Sequence, residues 1–78
     1  MIDASQIKEH MEVKASDGHH VGTVDHMQGS DQIKLTRNDP AAHGAHHLIP
    51  LAWVERVDAH VHLSRSSQEV MTQWQSQG

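Results

Sequence analysis

Residues 11–28, Met11-Glu12-Val13-Lys14-Ala15-Ser16-Asp17-Gly18-His19-His20-Val21-Gly22-Thr23-Val24-Asp25-His26-Met27-Gln28, decide the fold. Met11, Val13 and Ala15 alternate with Glu12 and Lys14, the period of a strand with one buried face. Ser16-Asp17-Gly18-His19 reads as a tight turn, because Gly18 tolerates a positive φ. The chain then returns over 21–28 as a second strand. Its alternation breaks, since Val21 and Val24 stand three apart with Gly22 between them, and a strand glycine at a phase break points to a β-bulge. Gly29-Ser30-Asp31 turns the chain again, and Gln32-Ile33-Lys34-Leu35-Thr36 follows as a third strand with Ile33 and Leu35 inward. The three strands form a meander.

Working outward, Asp3 and Gln6 have the spacing of a capping box and predict a short helical turn near Ile7. Residues 37–45 are rich in turn formers and read as a mobile loop. His46 to Ile49 is a short strand stopped by Pro50, and Leu51-Ala52-Trp53-Val54 is expected to turn. Val54 to Val57 leads through Asp58-Ala59 into His60-Val61-His62-Leu63, where the two apolar residues share one face and the two histidines the other. Ser66 and Glu69 form a second capping box, predicting a helix over about 66–75 whose Val70, Met71 and Trp74 lie on one face. The expected architecture is mainly β. It is a small, partly closed barrel of five or six short strands over about 11–63, with the C-terminal helix covering an end or an open edge. Residues 1–78 are expected to make a single domain.

Only 15 of the 78 residues are Val, Ile or Leu and none is Phe, so the core is thin. Cysteine is absent, which removes disulfides and thiolate metal sites as supports. Oligomerisation is the usual remaining support, and a homodimer is expected. No apolar run reaches the ~18 residues of a membrane span. Met1 to Gln6 lacks the basic and apolar regions of a signal peptide, so a cytoplasmic location is expected. Six Lys and Arg against ten Asp and Glu provide no basic footprint for nucleic acid. Histidine is abundant, at nine residues, and protonating all of them would carry the formal charge from −4 to +5. The surface charge is therefore expected to depend strongly on pH just below neutrality.

Three stretches together carry a family resemblance. They are Val13-Lys14-Ala15-Ser16-Asp17-Gly18, then Val21-Gly22-Thr23-Val24-Asp25 with Ile33-Lys34-Leu35, and last His47-Leu48-Ile49-Pro50 with Trp53-Val54, Val57-Asp58 and Val61-His62-Leu63. The ordered set, spanning roughly residues 7 to 75, resembles the PRC-barrel group, and within it a set of short stand-alone bacterial proteins of unknown function. That resemblance implies a docking or assembly role, as in the photosynthetic reaction-centre H subunit and ribosome maturation factors. Within these 78 residues neither the membrane span of the first nor the N-terminal partner domain of the second is read, so neither named partner is expected to carry over.

Histidine supplies the candidate chemistry. His43 and His46-His47 lie on or beside a loop, and His60 and His62 share one strand face roughly 7 Å apart. Neutral imidazole is a good ligand for zinc, nickel or copper, and His43, His46, His60 and His62 are the candidate metal ligands, with weak zinc or nickel binding expected at such a surface. The competing expectation is that they are solvated surface residues. His47 alternates with Ile49 and is expected to point inward with a hydrogen bond. No Gly-x-Ser-x-Gly elbow, phosphate-cradling glycine run or other cofactor motif occurs, so the chain reads as non-enzymatic. Trp53 and Trp74 are candidate interface anchors. Packing against the barrel is the favoured reading for Trp74, and both readings stay open for Trp53. The function expected is a protein-interaction or assembly module of unknown partner, with histidine-mediated metal binding as the alternative.

Overall fold

A computed structural model describes residues 4–42 and 44–77, with the side chain of Gln77 outside the description. Among the described residues seven strands form one sheet: β1 (Glu12–Lys14), β2 (His20–Gln28), β3 (Gln32–Leu35), β4 (His46–Pro50), β5 (Val54–Val57), β6 (Val61–Leu63) and β7 (Gln75–Gln77). Their order is β5-β6-β1-β2-β3-β4-β7, and β5 and β7 are not paired with each other, so the sheet is a partly closed barrel. One α-helix, α1 (Ser67–Gln73), precedes β7. The turn expected near Ile7 is a 3-10 segment, Ala4–Gln6, closed by Ile7 N–H donating to the Ala4 carbonyl at 3.1 Å. Asp3, its expected cap, lies outside the described residues.

β2 is the corner of the barrel. Its first half pairs with β1 and its second half with β3. Two bulges allow this bend. Val13 faces Gly22 and Lys14 faces His20, which leaves Val21 as the extra residue. Val24 faces Leu35 and His26 faces Lys34, which leaves Asp25 as the second. A bulge shifts the inward phase by one residue, so Val21 and Val24 are both buried despite standing three apart. Gly22 sits against the Leu35 side chain: a Cβ there would lie 2.9 Å from Leu35 Cδ1. Gly18 closes the β1–β2 hairpin at φ +84°, as its turn requires.

The meander β2-β3-β4 is antiparallel. β1 and β6 pair in parallel, Val13 opposite Val61 and Lys14 opposite His62, a crossover that alternation alone does not reveal. Ile7, Val13, Ala15, Val21, Val24, Ile33, Leu35, Ile49, Val54, Val61, Leu63 and Val70 build one core. Val70 brings α1 into it. Met71 does not join that face and is 37% exposed, because a two-turn helix aims only one narrow stripe at the sheet.

The Ser66 cap forms as its spacing predicts. Its hydroxyl accepts from Glu69 N–H at 3.2 Å and the Glu69 carboxylate accepts from Ser66 N–H at 3.2 Å. The helix ends earlier than expected. Trp74 leaves helical geometry at ψ 156°, and its ring stacks on His47 at 3.8 Å, which turns the chain back along β4 as β7. Pro50 closes β4 opposite Gln32, and Leu51–Trp53 follows as a 3-10 turn.

Part of the connection from β3 to β4, expected as a loop over 37–45, has regular structure. Pro40–Ala42 is a 3-10 turn, Ala42 is buried, and the Asp39 side chain is anchored beneath it. The cause is a set of hydrogen bonds to β2, which a turn-rich composition does not announce.

Candidate functional site

Histidines and carboxylates alternate in a band across the outer face of β6, β1 and β2 and onto the β3–β4 connection. Its centre is His20, the first residue of β2. Its Nδ1 lies 2.8 Å from Glu12 Oε2 and its Nε2 lies 2.6 Å from Asp39 Oδ2. Glu12 reaches the opposite way as well, with Oε1 3.4 Å from His60 Nδ1. Beyond it, the His60 and His62 rings meet edge to face at 6.1 Å, and His62 Nε2–H donates to Asp58 Oδ1 at 2.9 Å.

Each carboxylate is held in its ionised form by different means. Asp39 is 8% exposed, and burial raises its pKa. Thr23 Oγ1–H donating at 2.6 Å, Ala41 N–H at 2.8 Å and His20 outweigh that burial, so the net displacement is downward. Glu12 is lowered chiefly by its hydrogen bond to His20. Asp58 is lowered to about 2, first by the His60 backbone N–H and then by His62. His20 is pulled down by burial and up by Glu12 and Asp39, and the upward pull wins.

Beside the band an open cleft of about 390 Å³ lies between the second bulge of β2 and the β3–β4 connection. His10 lines it at φ +69°, a left-handed conformation that costs on the order of 1 kcal/mol for a residue other than glycine. The bulge residue Asp25 and Asn38 complete its polar wall.

The four candidate metal ligands have separate fates. The His60 and His62 rings do lie together, but His60 stands just before β6 rather than on it, and each already lies beside a carboxylate. His46 lies on β4, separated from β6 by three strands in sheet order, and its Nδ1 accepts from Arg37 N–H at 3.2 Å. His43 lies outside the described residues. Among the described residues no three His, Asp or Glu side chains converge so as to hold a metal ion. His47 is buried, as its alternation predicts. Its Nε2–H donates to the Ala42 carbonyl at 2.9 Å, and Trp74 covers its ring. Trp74 thus packs on the barrel, while Trp53 is half-buried against the core with the Arg65 guanidinium 4.9 Å from its ring centre.

One serine–histidine–aspartate set does assemble, at the tip of the β1–β2 hairpin. Ser67 Oγ lies 2.9 Å from Asp17 Oδ2 and 3.4 Å from His19 Nδ1. Its connectivity is not that of a nucleophile and base. The serine donates to the aspartate, and both partners face the same imidazole nitrogen, whereas a triad needs the serine on one nitrogen and the carboxylate on the other. The arrangement instead ties the hairpin to α1. Asp17 also accepts from His19 N–H and Ser67 N–H, each at 3.2 Å. Slight burial raises its pKa, but the bonds led by Ser67 outweigh that and bring it to about 2.

The sequence pointed to His60, His62 and His47 through alternation. It did not point to the Glu12–His20–Asp39 bridge. Glu12 and His20 flank an Asp17-Gly18 hairpin and are cross-strand neighbours, a usable signal, but Asp39 arrives from a connection whose path is set by tertiary contacts.

Comparison with known proteins places the chain in a family. Residues 7–71 match the model for DUF2171, described as an uncharacterized protein conserved in bacteria, and the chain belongs to that family. No curated protein matches it. No helix among the described residues is long and apolar enough to cross a membrane.

Proposed function

We propose that this chain is a non-enzymatic assembly module of the PRC-barrel-like kind, acting in the cytoplasm through strand addition at β7, with a second copy of itself as its first partner. The supporting observation is the contrast between its two sheet edges. β5 is guarded, since Glu55 and Arg56 are exposed there and Glu55 is the extra residue of a bulge. Charges and bulges are how edge strands avoid pairing with other chains. β7 is Gln-Ser-Gln and has neither charge, proline nor bulge in its pairing with β4. An antiparallel β7–β7 contact about a twofold axis is self-complementary.

Size-exclusion chromatography with light scattering tests the reading. The native chain is expected as a dimer at tens of micromolar, and Gln75→Lys with Gln77→Lys is expected as a folded monomer, because paired lysines guard the edge. A monomeric native chain, or a dimer indifferent to those lysines, overturns the β7 contact.

A further inference from the structure

Both ring nitrogens of His20 face carboxylate oxygens, at 2.8 and 2.6 Å. A neutral imidazole has one N–H and one lone pair, so it can satisfy only one of those contacts. The other would set a lone pair against an anion. Only the doubly protonated ring donates to both. The two carboxylates differ in freedom. Asp39 is buried and fixed by Thr23 and the Ala41 N–H, whereas Glu12 is partly exposed and has a second imidazole, His60, beside its other oxygen. Other charged or titratable neighbours are Lys14, which pairs with His20 in the β1–β2 register and with His62 in the β1–β6 register, and His19, which immediately precedes β2.

We propose that His20, Glu12 and Asp39 form a proton-operated toggle. In the acid position His20 is an imidazolium bridging Asp39 and Glu12. In the basic position the ring has lost the proton on Nδ1, keeps Nε2–H on Asp39, and lets Glu12 turn away toward His60 and solvent. The moving part is Glu12, and the β3–β4 connection stays anchored in both positions. The direction of the His20 displacement agrees with this. A histidine whose pKa is raised on folding contributes stability that is complete below its ordinary value of 6.5 and is lost as pH rises through the folded value. The toggle stands apart from the β7 contact and is tested separately.

Nuclear magnetic resonance of the full chain, following ring nitrogens and side-chain carboxyl carbons against pH, reads each part. At pH 6.5 both His20 nitrogens are expected to carry protons, and its midpoint is expected above that of an unperturbed histidine. The Glu12 carboxyl signal is expected to take the larger step at the His20 midpoint, because Asp39 keeps its Nε2–H bond in both positions and senses only the change in ring charge. Glu12→Gln is expected to lower the His20 midpoint without unfolding the chain, because position 12 lies on the outer face. A His20 ring with one protonated nitrogen at pH 6.5, or a larger step at Asp39 than at Glu12, overturns the toggle.

Discussion

Gly22→Ala examines the close approach of β2 to the Leu35 side chain. The φ of Gly22 lies outside the left-handed region, so alanine meets no backbone strain. The conflict is steric: the new Cβ would lie 2.9 Å from Leu35 Cδ1 and 3.5 Å from both Cβ and Cγ of the same residue. Leu35 is 1% exposed within the shared core, so its terminal methyl group moves only by displacing neighbours. Overpacking of this kind costs about 1–3 kcal/mol. Replacing glycine lowers the entropy of the unfolded chain and returns about 0.4–1 kcal/mol. The net expectation is a loss of about 1–2 kcal/mol, or a fall in Tm on the order of 5–10 °C for a domain of this size. Urea and thermal unfolding measure it, and a double-mutant cycle isolates its cause. Leu35→Val removes the offending atom and by itself costs about 1 kcal/mol. In that background Gly22→Ala is expected to be neutral or slightly stabilising. Equal losses in both backgrounds would refute the steric account, and a stabilising effect in the native background would refute it more directly.

Other perturbations follow from the same contacts. Ser66→Ala removes the cap of α1 and is expected to cost about 1 kcal/mol in urea unfolding, with a smaller loss for Ser66→Asp. Trp74→Ala strips the cover from His47 and is expected to cost about 2 kcal/mol, with faster amide exchange across β4 and β7 than across β1 and β2. Asp17 and Asp58 both have pKa values lowered to about 2, so their contributions are present above the ordinary carboxylate range and are lost as pH falls from about 4 toward 2. Asp17→Asn is accordingly expected to flatten the acid limb of a stability–pH curve, and an unchanged limb would assign it to other carboxylates.

The legible part of the fold was what alternation and turn chemistry encode locally. The Asp17-Gly18 hairpin, the Ile33/Leu35 strand, the Val61/Leu63 face and the Ser66–Glu69 box each depend on residues within a few positions of one another. The phase break at Gly22 even located the barrel corner, although the extra residue is Val21. What escaped was non-local. Nothing near Gln75 announces a strand, because β7 exists only where Trp74 meets a histidine 27 positions earlier. Asp39 looked like a turn former because its partners lie on another strand. Met71 was placed inward by periodicity, which fixes an angular sector but not its width. At the site, alternation paired His60 with His62, but only the crossover of β6 onto β1 shows that Glu12 is the neighbour of His60.

That crossover also sets the order in which the chain can assemble. The β2-β3-β4 meander closes through connections of at most ten residues, 29–31 and 36–45, whereas the parallel pair requires Val13 to meet Val61 across 48 positions. Loop-closure entropy makes contacts of such separation slow to form. A chain emerging from synthesis therefore exposes the outer edge of β1 until residue 61 has been made, and the outer edge of β4 until residues 75–77 have followed. Substitutions within β3 should slow folding, while those at Val61 should mainly hasten unfolding. β6, the last strand to dock against β1, is what finally covers that edge of the partly closed barrel.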